Sequence, residues 1–117
     1  MSYGAISRPA VEALSKGAAK AGIWFNTGEG GLSPAHLEGG ADIVFQIGTA
    51  NYGVRDASGN LDEAKLAAVA MHEQVRMFEI KLSQGAKPGK GGILPGAKVT
   101  AGLLYTSDAA DDLGRGG

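Results

Sequence analysis

Glu29 lies in the run Asn26-Thr27-Gly28-Glu29-Gly30-Gly31, a carboxylate with glycine on both sides. Glycine lets the backbone approach a ligand closely or take positive φ. A carboxylate held in this way could bind an ammonium group or accept a proton. A glycine-rich turn with a solvated acid fits the same residues. A second run, Gln84-Gly85-Ala86-Lys87-Pro88-Gly89-Lys90-Gly91-Gly92, combines two lysines with a series of backbone amides. It is not a nucleotide P-loop, which needs four residues between its glycines and then a Lys followed by Ser or Thr to hold magnesium. Only three residues separate Gly85 from Gly89, and Gly91 stands where the hydroxyl should be. A loop suited to a carboxylate or phosphate anion remains, with a solvated basic loop as the other reading.

Gln46 and Lys81 form a third group, polar residues near the ends of apolar runs. A lysine within an apolar strand pattern must reach solvent or a partner, since burying an unpaired charge is costly. An exposed strand face would satisfy it. So would a flavin, whose reduced, anionic form is stabilised by a nearby cation. His36 and His72 are far apart, with no cysteine and no HExxH-like spacing, so no metal site is expected. His72 is expected on a helix surface. The serines fall at caps and turns and suggest no Ser/His/Asp arrangement.

The elements that would position these residues alternate. Residues 1–7 read as a short strand with a glycine-containing end. Ser7 is a good N-cap, Pro9 suits a first helical turn, and Val11, Leu14, Ala18 and Ala21 recur on one helical face until Gly22 stops it. Ile23-Trp24-Phe25 is a short apolar run, consistent with a strand buried on both faces. An irregular stretch containing Ser33, Pro34 and Gly40 follows, then a second apolar run over 42–47. Residues 51–60 carry turn residues. From Leu61 to about His72 alanines and leucines fall at helical spacing, with Asp62 and Glu63 placed to favour the helix dipole. Phe78, Ile80 and Leu82 alternate with Glu79 and Lys81 and predict a strand. Strands alternating with helices argue for a parallel sheet built from βαβ units. Ligands then sit beyond the carboxyl ends of the strands, where the loops 26–31, 46–53 and 84–96 would gather.

Composition agrees. Glycine supplies 20 of 117 residues, more than twice the usual share of about 7%. It clusters at 28–31, 39–40 and 85–96, between segments that look ordered. Eleven basic residues against twelve acidic ones give a net charge of -1. No basic stripe points to nucleic acid and no cluster to a membrane surface. The absence of cysteine removes disulfides and thiolate chemistry from this stretch. No segment reaches the roughly 20 apolar residues that span a bilayer, and no secretory signal is evident, so the expected compartment is the cytoplasm.

Four segments together resemble the FMN-binding domain of glutamate synthases. They are Met1-Ser2-Tyr3-Gly4-Ala5-Ile6-Ser7, the 26–31 loop, Tyr52-Gly53-Val54, and the run IKLSQGAKPGKGGILPGAKV over 80–99. They occur in order and cover residues 1–101, and the likeness is greatest to the smaller, stand-alone glutamate-synthase-like proteins. The resemblance implies an α/β fold, a partial (β/α)₈ TIM barrel holding the first strands and helices. It implies an oxidoreductase in which FMN carries electrons and 2-oxoglutarate with ammonia forms an imine that is reduced to glutamate. Carried over by motif, Ser2, Tyr3 and Gly4 would lie along the flavin, with Gln46 and Lys81 near its polar edge. Glu29 and Lys87 would be the catalytic and substrate-binding pair, Lys87 on a 2-oxoglutarate carboxylate and Glu29 on ammonia or the imine. Ile93 departs from the pattern: the large enzymes have glutamine there, which contacts 2-oxoglutarate, so a different oxo-acid or amine is open. The family's iron–sulfur cysteines lie beyond this stretch, so the lack of cysteine here neither supports nor refutes a cluster in a longer protein, and the electron donor is not identified.

From residue 102 the character changes. Leu103-Leu104-Tyr105-Thr106-Ser107-Asp108-Ala109-Ala110-Asp111-Asp112 has no useful periodicity and resembles one frame of a transposon-type sequencing adaptor. Residues 102–117 are therefore expected to be a non-native tail. The phosphate site of the family belongs to late barrel strands, so this piece alone is expected to bind FMN poorly and to be inactive. The competing reading is a complete small anion-binding or protein-interaction module without catalysis. It would use the Lys87 to Lys90 loop and need no flavin.

Overall fold

Ser7 opens the first helix, its side chain accepting from the Ala10 N–H at 3.4 Å with proline in the first turn. Helix α1 runs over Arg8–Ala21. It ends in a Schellman motif: Gly22 is left-handed at φ 71°, and the Ile23 N–H reaches back to the Ala18 carbonyl. The computed structural model describes residues 1–85. Within them β1 is Phe25–Asn26, α2 Pro34–Leu37, β2 Ile43–Ile47, α3 Glu63–Ala70 and β3 Val75–Ile80. The three strands form one sheet in the order β1-β2-β3, and both pairings are parallel. The α/β reading with a parallel sheet holds.

Several local expectations change. Residues 1–7 form a turn, with the Ala5 and Ile6 N–H groups both donating to the Ser2 carbonyl, and not a strand. The backbone of this segment is engaged by the glycine loop described below. Strand β1 begins only at Phe25, and Ile23 and Trp24 are 60% and 61% exposed. The cap at Gly22 turns these two side chains outward at the amino edge of the sheet. There they border a groove of about 490 Å³ with Ala19, Gly22 and Ala41. The buried stripe of α1 runs through Val11, Ser15 and Ala18, while Leu14 is 44% exposed. Ser15 displaces it because its hydroxyl donates to the His36 carbonyl at 2.8 Å and accepts from the Gly39 N–H at 2.9 Å. Gly39 packs so closely that a Cβ there would lie 2.4 Å from the Ser15 backbone.

The stretch read as irregular contains α2, opened by a capping box. Ser33 accepts from the His36 N–H, and His36 Nδ1 accepts from the Ser33 N–H at 3.0 Å. Histidine fills the place usually held by Glu or Gln. Helix α3 starts two residues later than the apolar spacing suggested because Asp62 is its N-cap, accepting from Ala64 and Lys65. His72 lies just beyond it, exposed. Leu82 lies beyond β3 and is 85% exposed.

Ile43 and Phe45 on β2 are fully buried with Val11, Leu32 and Val54 in one core cluster, and Phe45 meets Phe78 edge-to-face at 5.8 Å. Between β2 and β3, Ile43 pairs with Val75 but Val44 with Met77, so Arg76 is an extra, bulged residue. The bulge sets the register that brings Gln46 opposite Glu79. Alternation then puts Gln46, Glu79 and Lys81 on the sheet face opposite the core. No helix among the described residues is long and apolar enough to cross a membrane.

Candidate functional site

The carboxyl ends of the strands carry the polar groups. After β1, the Thr27 N–H donates to the Val44 carbonyl, and the buried Thr27 hydroxyl accepts from the Gln46 N–H at 3.1 Å. These bonds fasten the start of the 26–31 loop to β2. Gly28 follows at φ 69°, a backbone conformation that favours glycine. A Cβ on Gly28 would lie 2.7 Å from the Ser2 nitrogen, and one on Gly30 would lie 2.5 Å from the Ser2 hydroxyl. Two glycines are therefore needed for the amino-terminal turn to lie against this loop. The Met1 amine also donates to the Asn26 carbonyl.

His36 holds the other side of that turn. It is fully buried against Phe25, the ring centroids 5.6 Å apart. Burial lowers its pKa to about 4, so the ring is neutral. Because Nδ1 accepts from the Ser33 N–H, the proton sits on Nε2 and is donated to the Met1 carbonyl at 2.7 Å.

Glu29 extends from the loop over β2. Gly48 makes this possible, since a Cβ there would lie 2.8 Å from the Glu29 Cβ. The Glu29 carboxylate then reaches β3. Its Oε2 pairs with Lys81 Nζ at 2.5 Å, and its Oε1 accepts from Gln84 Nε2 at 3.2 Å. The two charged side chains are 16% and 32% exposed. The Lys81 N–H also donates to the Ile47 carbonyl at 2.9 Å, continuing the ladder past the end of β3.

A second carboxylate, Glu79, lies on the same face. Its Oε1 accepts from Gln46 Nε2 at 2.5 Å and from Asn26 Nδ2 at 3.0 Å, so one oxygen collects amides from two neighbouring strands. These bonds, that from Gln46 first and that from Asn26 second, lower the Glu79 pKa. Asn26 is itself oriented by the Gly28 N–H, which donates to its Oδ1 at 2.8 Å.

Among the residues singled out from the sequence, the structure joins Glu29 to Lys81 and Ser2 to the loop bearing Glu29. Gln46 is bonded to Glu79. The Tyr3 ring lies in the core, 6% exposed, with Arg8 as its charged neighbour, and Gly4 is half-buried in the turn. Lys87, Lys90, Ile93 and the 101/102 boundary lie outside the described residues. The sequence reading missed Glu79 and the seat that Gly48 offers Glu29. The signal for Glu79 was present, because residues two apart on a strand share a face and Glu79 precedes Lys81 by two.

The family described as "Conserved region in glutamate synthase" matches residues 1–108. The chain is 50% identical over 101 residues to the "Glutamate synthase large subunit-like protein YerD" of Bacillus subtilis, covering 86% of this chain and 19% of that protein. It is 40% identical over 106 residues to an "Archaeal-type glutamate synthase [NADPH]" of Dehalococcoides mccartyi, covering 91% and 19%. An "Archaeal glutamate synthase [NADPH]" of Archaeoglobus fulgidus is 42% identical over 106 residues, covering 91% and 18%. The chain thus spans about a fifth of the length of these relatives. No solved structure matches it. With its parallel sheet, its glycine loop and a family match over residues 1–108, the chain belongs to the glutamate synthase family.

Proposed function

We propose that residues 1–101 form the first strands and helices of an FMN-dependent (β/α)₈ barrel in a cytoplasmic oxidoreductase. Its reaction would be the reductive amination of 2-oxoglutarate to glutamate, or of a related oxo-acid. The observation that carries this reading is the Glu29–Lys81 pair with Gln84, which ties the loops after β1 and β3 together. It lies at the carboxyl edge of a parallel sheet, the edge where barrel enzymes keep their chemistry. The family membership makes this a stronger reading than a free-standing anion-binding module. Residues 102–117 would be a tail outside the barrel. The family match continues to residue 108, so reading the source DNA past codon 101 tests that boundary directly.

The donor set suits the pyrimidine edge of a flavin, which offers carbonyl acceptors around an N–H. An ammonium has three N–H groups, and Lys81 gives one to Glu29. Gln46 gives one N–H to Glu79, and no described residue donates to its Oε1. Lys81 and Gln46 would hold that edge, with Ser2, Gly4 and the backbone of Tyr3 along the ring system, since the Tyr3 ring is taken up by the core. When bound, the flavin supplies the hydride for the substrate. Glu29 would bind ammonia as ammonium and take its proton at Oε1, the carboxylate oxygen that does not face Lys81. The freed amine lone pair then attacks the keto carbon of the oxo-acid, and loss of water gives the imine. Lys87 would hold a carboxylate of the oxo-acid.

The test is to purify the full-length protein containing this segment, identify its bound flavin, and assay glutamate formation from 2-oxoglutarate. NADPH is the first donor to try, because the names of relatives include it. Flavin retention with glutamate formation is expected, and Glu29→Gln should lower turnover about 100-fold or more, as for loss of a general base. Flavin retention with activity on another oxo-acid would trace the substrate to Ile93. A protein that retains no flavin would sink the proposal.

A further inference from the structure

We infer that Glu79 is a positioning residue that orients the Gln46 side-chain amide, so that Gln46 offers its carbonyl oxygen to a ligand N–H on the sheet face that also carries Lys81. The inference rests on the flavin reading above and adds to it a residue with no assigned role. An ionised carboxylate only accepts hydrogen bonds. The Gln46 atom facing Glu79 at 2.5 Å must therefore be the amide nitrogen, which turns Oε1 away. The second amide confirms this polarity independently. The Gly28 N–H fixes Asn26 Oδ1 at 2.8 Å, which leaves Nδ2 to face the same Glu79 oxygen at 3.0 Å. Two separately oriented donors thus converge on one acceptor atom.

The alternative is a solvated surface acid, since Glu79 is exposed. A solvated acid has no need of two amides from different strands, one of them directly opposite it in the β2–β3 register. The consequence for recognition is specific. With Gln46 held by Glu79, the face presents an acceptor from Gln46 and a donor from Lys81. That order matches an imide N–H flanked by a carbonyl. If the amide flips, an NH₂ group meets the ligand N–H, and a buried donor is left unpaired.

The experiment uses the full-length protein, stripped of flavin and titrated with FMN by fluorescence. Glu79→Ala should weaken FMN binding about ten-fold, the scale of one hydrogen bond involving a charged group. Glu79→Gln keeps an acceptor oxygen at the same place and should lose about three-fold or less. The double variant Glu79→Ala/Gln46→Ala should bind no more weakly than Gln46→Ala alone, because Glu79 acts through Gln46. Melting temperatures of the apo variants establish that each folds, and Glu79→Gln keeps the comparison usable if Glu79→Ala does not. Additive losses, or a Glu79→Ala variant that binds within about two-fold of the parent, would overturn the role of Glu79 and leave the flavin reading intact. A parent protein that binds no FMN would remove both.

Discussion

At Gly48 a single methyl group would separate position from stability. A Cβ there would lie 2.8 Å from the Glu29 Cβ, so Gly48→Ala must push the Glu29 side chain off its seat and away from Lys81. The pair is partly exposed, and such ion pairs contribute only about 0–1 kcal/mol. The melting temperature of the full-length protein should therefore change little. Turnover should fall by about 10- to 100-fold, because a displacement of about 1 Å at a reacting group costs that much. A variant with parent-like turnover would show that Glu29 does not need this seat. Glu29 itself was legible in the sequence from the glycines around it. Its partner was not, because 52 positions separate it from Lys81 and only the sheet brings them together.

At the scale of elements, the junction of α1 and α2 depends on polar contacts that periodicity does not reveal. Ser15 bonds both the His36 carbonyl and the Gly39 N–H while fully buried. Ser15→Ala leaves both without a partner and should cost about 1–3 kcal/mol, measurable by urea unfolding. His36 adds a pH dependence. Its folded pKa is about 4 against an ordinary 6.5, so the unfolded chain binds the proton more readily. Stability from neutral His36 is complete above about pH 6.5 and is lost as pH falls toward 4, with a total of about 3 kcal/mol. His36→Gln should flatten that pH dependence, and NMR titration should place the parent His36 transition near 4. The helices α1 and α3 were legible from spacing and caps. Helix α2 was not, because its capping box uses histidine and its helix is a single turn.

At the scale of the molecule, both outer strands of the three-stranded sheet have an edge with no partner strand among the described residues. Beside one edge, Ile80 and Leu82 are 69% and 85% exposed, and near the other are Ile23 and Trp24. Open edges next to exposed apolar side chains favour pairing between chains. The 117-residue chain purified alone should self-associate, seen as a concentration-dependent rise in mass by light scattering. Ile80→Lys should reduce it, since charge on an edge strand opposes pairing. A parent chain that stays monomeric across the concentration range would contradict this.

The sequence by itself determined the alternation of α1, β2, α3 and β3, the parallel sheet, the residues Glu29, Gln46 and Lys81 as candidates for the site, and the family. These follow from local patterns: apolar spacing, caps, glycine clusters and short motifs, each readable within a few neighbouring residues. Tertiary structure alone decided that Glu29 crosses Gly48 to Lys81, that Glu79 gathers Asn26 and Gln46, and that Ile23 and Trp24 face outward. Each of those outcomes depends on strand register and on which edge a strand occupies. A one-residue bulge at Arg76 is enough to choose which side chains meet.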